Sequence, residues 1–267
     1  MEFFQLGNCG SSTIRNDDPL ITTHEKINHN HILHCNEFIC SGTSAVYSKG
    51  KIEYEKTTNV HKQLPGDNFG EMFKKSTPQF STSYFNLFFD GDKTLYKPGR
   101  TTTGPKVPEW VIGPAGENVV YNDLSAKTTI AQKAVFETSF LLQDSLRNAD
   151  WKITTDTRTI AGFECRKATT IIMDSVYVVA FYTDQIVPAG GPESFTGLPG
   201  MILGLAVPRL NTTWFATKLE LVEVKETDLV APKKGKKTNM ADLNQQLKTL
   251  MKNWGPNADR NIWKILI

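Results

Sequence analysis

From about residue 118 to residue 182 the chain repeats one pattern, a short run of alternating polar and apolar residues followed by a few turn formers. Strand side chains point to opposite faces with a period of two, whereas a helix face recurs every three to four residues, so the pattern specifies extended chain. Val119-Val-Tyr121 and residues 128–131, 134–142 and 151–159 read as successive strands, with Asn122-Asp123, Gln132-Lys133 and residues 145–150 as the turns between them. In the last of these strands Trp151, Ile153, Thr155, Thr157 and Thr159 share a face, and Lys152, Thr154, Asp156 and Arg158 share the other. That predicts one covered and one wet face. Gly162 bends the chain into residues 163–172, and Asp174-Ser175 turns it into 176–182. Strands joined this closely pair with their neighbours, so the expected fold is mainly β, a curved antiparallel sheet or partly closed half-barrel.

The flanking segments extend this plan. Ordered structure is expected from Val46, with Lys51-Ile-Glu-Tyr-Glu-Lys56 as a half-exposed strand and residues 69–75 as another short one. Residues 80–89, rich in Phe and Tyr, turn through Asp90-Gly-Asp into 93–96 as a hairpin. Residues 98–116 form a long Pro-, Gly- and Thr-rich loop whose Trp110 is read as a plug over the core, with an exposed contact as the other reading. A long strand is expected at 212–224, then a basic loop, Pro232-Lys-Lys-Gly-Lys-Lys237, read as solvated. Asn239 caps an amphipathic helix whose stripe is Met240, Leu243, Leu247, Leu250, Met251 and Trp254, to be buried against the open side of the sheet. The domain plan is thus a tail at 1–44, one β-rich domain at 45–255 and a tail at 256–267.

The densest local signal is Phe195-Thr-Gly-Leu-Pro-Gly-Met-Ile-Leu203. Pro199 and Gly200 suit the two central positions of a type II turn. Met201 to Val207 then alternates with both faces apolar or small, which predicts a strand covered on both sides. With Phe181-Tyr-Thr-Asp-Gln-Ile186 and residues 151–168 upstream, this stretch resembles the GLPGLI family of envelope proteins from Bacteroidetes-type bacteria, over about residues 45–225. Met201 stands where the family name has leucine, a volume-conserving change. The resemblance implies an exported protein, in the periplasm or cell envelope, with no established molecular activity. The first ten residues lack the charged start and apolar run of a secretory signal, so the expectation is that the signal has been removed or the start misassigned.

Composition narrows the function classes. A net charge of +2 without a basic helix interleaved with aromatics argues against nucleic acid, and no run of eighteen apolar residues predicts a membrane-spanning helix. Four of the five histidines lie with Cys35 and Cys40 in residues 24–40, but their spacing matches no closed metal site, and no metal or cofactor is expected. Cys35 and Cys40 can close a small disulfide loop, whereas Cys165 reads as a buried apolar residue. No nucleophile elbow, zincin helix, phosphate loop or Cys-x-x-Cys pair occurs.

The candidate functional surface is Tyr182, Asp184, Glu193, Gly197, Leu198, Pro199 and Gly200, a binding surface rather than a catalytic one. The expected function is non-enzymatic binding of a lipid-like ligand or an outer-membrane protein partner, in a cleft lined by the aromatic hairpin and the Met-containing helix. Lipoprotein-carrier half-barrels are the fold-level analogy. Two other readings stand beside it. One is an acid-residue hydrolase using Asp184 and Glu193 as a carboxylate pair. The other is a solid scaffold that docks envelope partners by strand addition.

Overall fold

The computed structural model describes residues 45–102, 107, 117–255 and 258–267. The cysteine- and histidine-bearing segment 1–44 and Trp110 therefore lie outside the described residues, as do the expectations that rest on them.

One twelve-stranded sheet dominates the unit from Thr43 to Ile267. β1 (Lys49–Asn59), β2 (Phe80–Asp90), β3 (Lys93–Pro98), β4 (Val119–Asp123), β5 (Thr128–Val135) and β6 (Thr138–Ser145) form a meander away from β1 on one side. β7 (Lys152–Ile160), β8 (Phe163–Ile172), β9 (Val176–Thr183), β10 (Met201–Val207) and β11 (Thr212–Glu220) form a second meander that returns to pair with the free side of β1. The pairing is antiparallel throughout, except that β12 (Lys236–Thr238) runs parallel to β6 at one edge. The sheet is open, with β7 at its other edge. The mainly β, antiparallel expectation holds.

Alternation sets the inward face. Ile52, Tyr54, Phe85, Leu87, Phe89, Tyr96, Val120, Ala131 and Leu142 are buried from one meander, and Cys165, Ala168, Val178, Ala180, Leu205 and Trp214 from the other. Each large apolar side chain buried here contributes about 1.5–3 kcal/mol. β10 is buried at six of its seven positions, as its two apolar faces predict.

The amphipathic helix is present as α2 (Met240–Leu250), with the Asn239 side chain accepting from the Asp242 amide at 2.8 Å. Leu243, Leu247 and Met251 are buried, whereas Leu250 and Trp254 at the stripe's outer edge are exposed. The helix ends one turn before Trp254, whose ring rests beside Phe136 with centroids 5.5 Å apart.

Four sequence expectations are corrected. Residues 69–75 lie in a helix, α1 (Asn68–Ser76), because Asp67 caps the Gly70 amide at 2.8 Å and the Phe69 ring packs at a tilt against Phe73 one turn later, with centroids 4.6 Å apart. The expected tail at 256–267 contains α3 (Ala258–Leu266), whose Ile262, Ile265 and Leu266 recur at helical spacing and are buried. Gln132 and Lys133 are not a turn but the middle of β5, and the reversal falls at Phe136. β7 has no covered face over most of its length. It is an edge strand with a register shift between Ile153 and Thr157, and Ile153 stays 49% exposed.

Candidate functional site

The end of β9 and the loop from β9 to β10 carry the residues singled out in the sequence, and the fold divides them between solvent and interior. Asp184, Gly197 and Pro199 are exposed, while Tyr182, Glu193, Leu198 and Gly200 are buried. Gly200 has φ +136, and a Cβ there would lie 2.1 Å from the Thr183 carbonyl oxygen, so only glycine fits. The expected type II turn is not formed. The Gly200 amide donates to Leu198, and the Met201 amide donates to Ile186 at 3.2 Å, which ties the start of β10 to the preceding loop. Trp151 secures the same segment by donating its indole N–H to the Thr196 carbonyl at 3.0 Å.

Tyr182 and Asp184 border a small outer cleft of about 170 Å³ with Glu164, Arg166, Thr183 and Gln185. This is below the few hundred Å³ usual for a small-molecule site. Glu193 takes no part in its lining. Its carboxylate points inward, 1% exposed, with the backbone in the left-handed region at φ +56. Such a conformation costs a non-glycine residue about 1–2 kcal/mol, so the surroundings must hold it.

Those surroundings are a buried polar network. Asn118 donates to Glu193 Oε2 at 2.8 Å, and Lys56 Nζ lies 3.3 Å from Oε1. The Lys56 ammonium also sits over the rings of Trp214 and Phe85, 5.0 and 5.5 Å from their centroids. Lys133, fully buried, donates to the Ile265 carbonyl at 2.9 Å, and Arg147 donates to the Leu266 carbonyl at 2.6 Å. Ser194 reaches a main-chain oxygen of Ile267 at 3.4 Å. These donors satisfy carbonyls at the end of α3 that have no partner within the helix, and the two cations also oppose the negative end of its dipole. The network thus fastens α3 to the inward face of the sheet.

Electrostatics agree with that role. Burial alone would raise the Glu193 carboxyl, but Lys56 and Lys133 outweigh it, so the group stays below the ordinary carboxylate range and ionised. Burial pulls Lys133 down to about 8, against the attraction of Glu193, and pulls Arg147 down to about 10. Tyr96 is raised well above its ordinary value by burial and by Glu193. Its hydroxyl and the Trp214 indole N–H sit close enough to interact, but short of a hydrogen bond of ordinary geometry.

Residues 114–245 match the family model described as N-glycanase peptide, N-terminal domain. Two solved crystal forms of PNGF-II are similar to the chain at 14% and 15% identity, with TM-scores of 0.49 and 0.47 over 74% and 81% of its length. The chain spans a third of the length of each of those structures. No curated protein sequence matches it.

Of the seven residues expected to act together, the fold brings Tyr182 and Asp184 to one cleft and keeps Glu193 for the interior. Sequence reasoning missed Lys56, Asn118, Lys133 and Arg147. Two of them carried a readable signal. Lys56 continues the inward register of Ile52 and Tyr54, and Lys133 falls in the register of Thr129, Ala131 and Val135. A lysine at an inward position of a strand predicts a buried partner.

Proposed function

We propose that this chain is a non-catalytic recognition module of an exported protein, one that holds a glycan-bearing polypeptide. The observation that carries the reading is the use to which the interior is put. Glu193, the one buried carboxylate among the described residues, is committed to Lys56 and Asn118. The inward face of the sheet, where a lipid-like group was expected, is covered by side chains of α2 and α3. With the inside filled and its acid engaged, recognition belongs to the outer surface. Asp184 is exposed while Glu193 is buried, so they do not face one substrate as a glycosidase pair requires.

The family match over residues 114–245 supports N-linked glycan as the class of ligand. The resemblance of residues 195–203 to GLPGLI envelope proteins supports an exported address, in the periplasm or beyond it, with an outer-membrane protein as a partner class. Among the described residues no helix is long and apolar enough to cross a membrane.

Biolayer interferometry with an immobilised N-glycoprotein, before and after enzymatic removal of its glycans, tests the reading. Binding to the glycosylated form alone, without release of glycan detectable by mass spectrometry, is the expected result. Equal binding to both forms would exclude the glycan as the ligand, and glycan release would show a catalytic module.

A further inference from the structure

Outside the β9–β10 loop, an open cleft of about 740 Å³ lies between the β2–β3 turn, the β4–β5 turn and the segment after β11. Its volume is within the range of small-ligand sites. The wall presents Asp90, Asp92, Lys93, Tyr121, Ser125 and Glu226. We infer that this cleft is a saccharide-binding site, taking the neutral core of an N-linked glycan; the inference rests on the glycan-recognition reading above.

The charge pattern selects the ligand. Two lysines, Lys49 and Lys93, stand against three carboxylates, and Lys49 is already paired with Asp90 at 3.1 Å. Phosphate-bearing ligands need a net positive surface, which this is not. No group of three or more metal-ligating side chains that could hold an ion occurs among the described residues, which argues against a bound cation. A lipid tail would meet a mostly polar wall. A neutral polyol suits mixed carboxylate, ammonium and hydroxyl groups, because each sugar hydroxyl both donates and accepts. Tyr121, half-buried, and Ser125 add hydroxyl-bearing side chains to the lining.

The polar groups are held in place before any ligand arrives. The Leu124 amide donates to the Asp92 carbonyl at 2.8 Å, joining the two turns. Asp123 accepts from Ser125 Oγ at 2.8 Å and from the Ala126 amide at 2.9 Å, which fixes the β4–β5 turn. On the facing wall Val224 is 3% exposed and anchors the segment that carries Glu226. A site built on turns fixed in this way loses little freedom on binding.

Saturation-transfer NMR and titration with the free core pentasaccharide of N-linked glycans test the assignment. The variants are Asp92→Ala and Glu226→Ala, both exposed positions, with Lys248→Ala on the outer side of α2 as control. The expected result is binding by the wild type, weakened at least tenfold in each cleft variant and unchanged in the control, with thermal melts unaltered in all three. Wild-type binding that the cleft variants leave intact would overturn the cleft and spare the glycan reading. No binding by the wild type, where the intact glycoprotein also fails, would overturn both. Capture of the deglycosylated polypeptide that is lost in Asp92→Ala would show a peptide site and overturn the saccharide assignment.

Discussion

Replacing Glu193 with glutamine keeps the size and the acceptor for Asn118 but removes the negative charge that Lys56 and Lys133 face. Removing one partner of a buried ion pair costs about 3–5 kcal/mol. Lys56 keeps 20% of its side chain in solvent and recovers some hydration, which favours the lower end, about 3 kcal/mol at pH 7. The cost must fall with pH. Lys133 is pulled to about 8 by burial with Glu193 present, and loss of the carboxylate pulls it lower still. Above that range Lys133 is neutral in both folded proteins, so its share of the penalty disappears. The wild type itself gains stability as pH rises from about 8 towards 10.5, because the unfolded chain then holds a proton on Lys133 that the folded chain has released. Urea denaturation of wild type and Glu193→Gln, followed by tryptophan fluorescence at pH 7 and pH 9.5, should show a difference smaller by about 1 kcal/mol at the higher pH. A difference under about 1 kcal/mol at pH 7, or one that does not change with pH, would refute the claim that Glu193 balances buried cations.

Gly200→Ala places a Cβ against the Thr183 carbonyl and should cost at least about 3 kcal/mol in urea midpoint analysis, whereas Gly162→Ala, with φ +86 and open space, should cost about 1 kcal/mol. Equal losses would show that space around Gly200 is not what requires glycine. Cys165 is fully buried, and burial raises its thiol to about 11, so peptide mapping after thiol alkylation of the native protein should find it unmodified and find it modified after denaturation.

The sheet was legible because its signal is local. Alternation and turn residues give strand after strand, and closely spaced strands pair in order, so both meanders follow from the chain itself. The order β11 beside β1 was not legible, since nothing local to Lys51-Ile-Glu-Tyr-Glu-Lys56 names its second neighbour. β7 was misread for a related reason. Its pattern is that of a half-covered strand, but coverage depends on where the sheet ends. The aromatics of residues 69–75 suggest a strand, whereas the Asp67 cap and the Glu71–Lys74 pair are the signals of helix α1. α3 was lost to its shortness and its place after Gly255-Pro256. At the candidate site, Gly200 does take the positive φ that its place after Pro199 suggests, but Glu193, expected on a functional surface beside Asp184, is buried. Its burial depends on Lys56, Asn118 and Lys133, which lie from 60 to 137 positions away in sequence and meet it only through the fold. The large polar cleft leaves no mark in the sequence, because its walls come from two turns and the segment after β11, which are distant in the chain.

The most direct test of the account is a map of amide chemical shifts as the N-glycan core pentasaccharide is titrated into the isotopically labelled chain. Changes are expected only at residues 90–93, 121–125 and 224–229, with the amides of Ser194, Ile265 and Leu266 unmoved. Changes centred on Asp184 and on 197–199, on the interior network, or on no residue at all would contradict it.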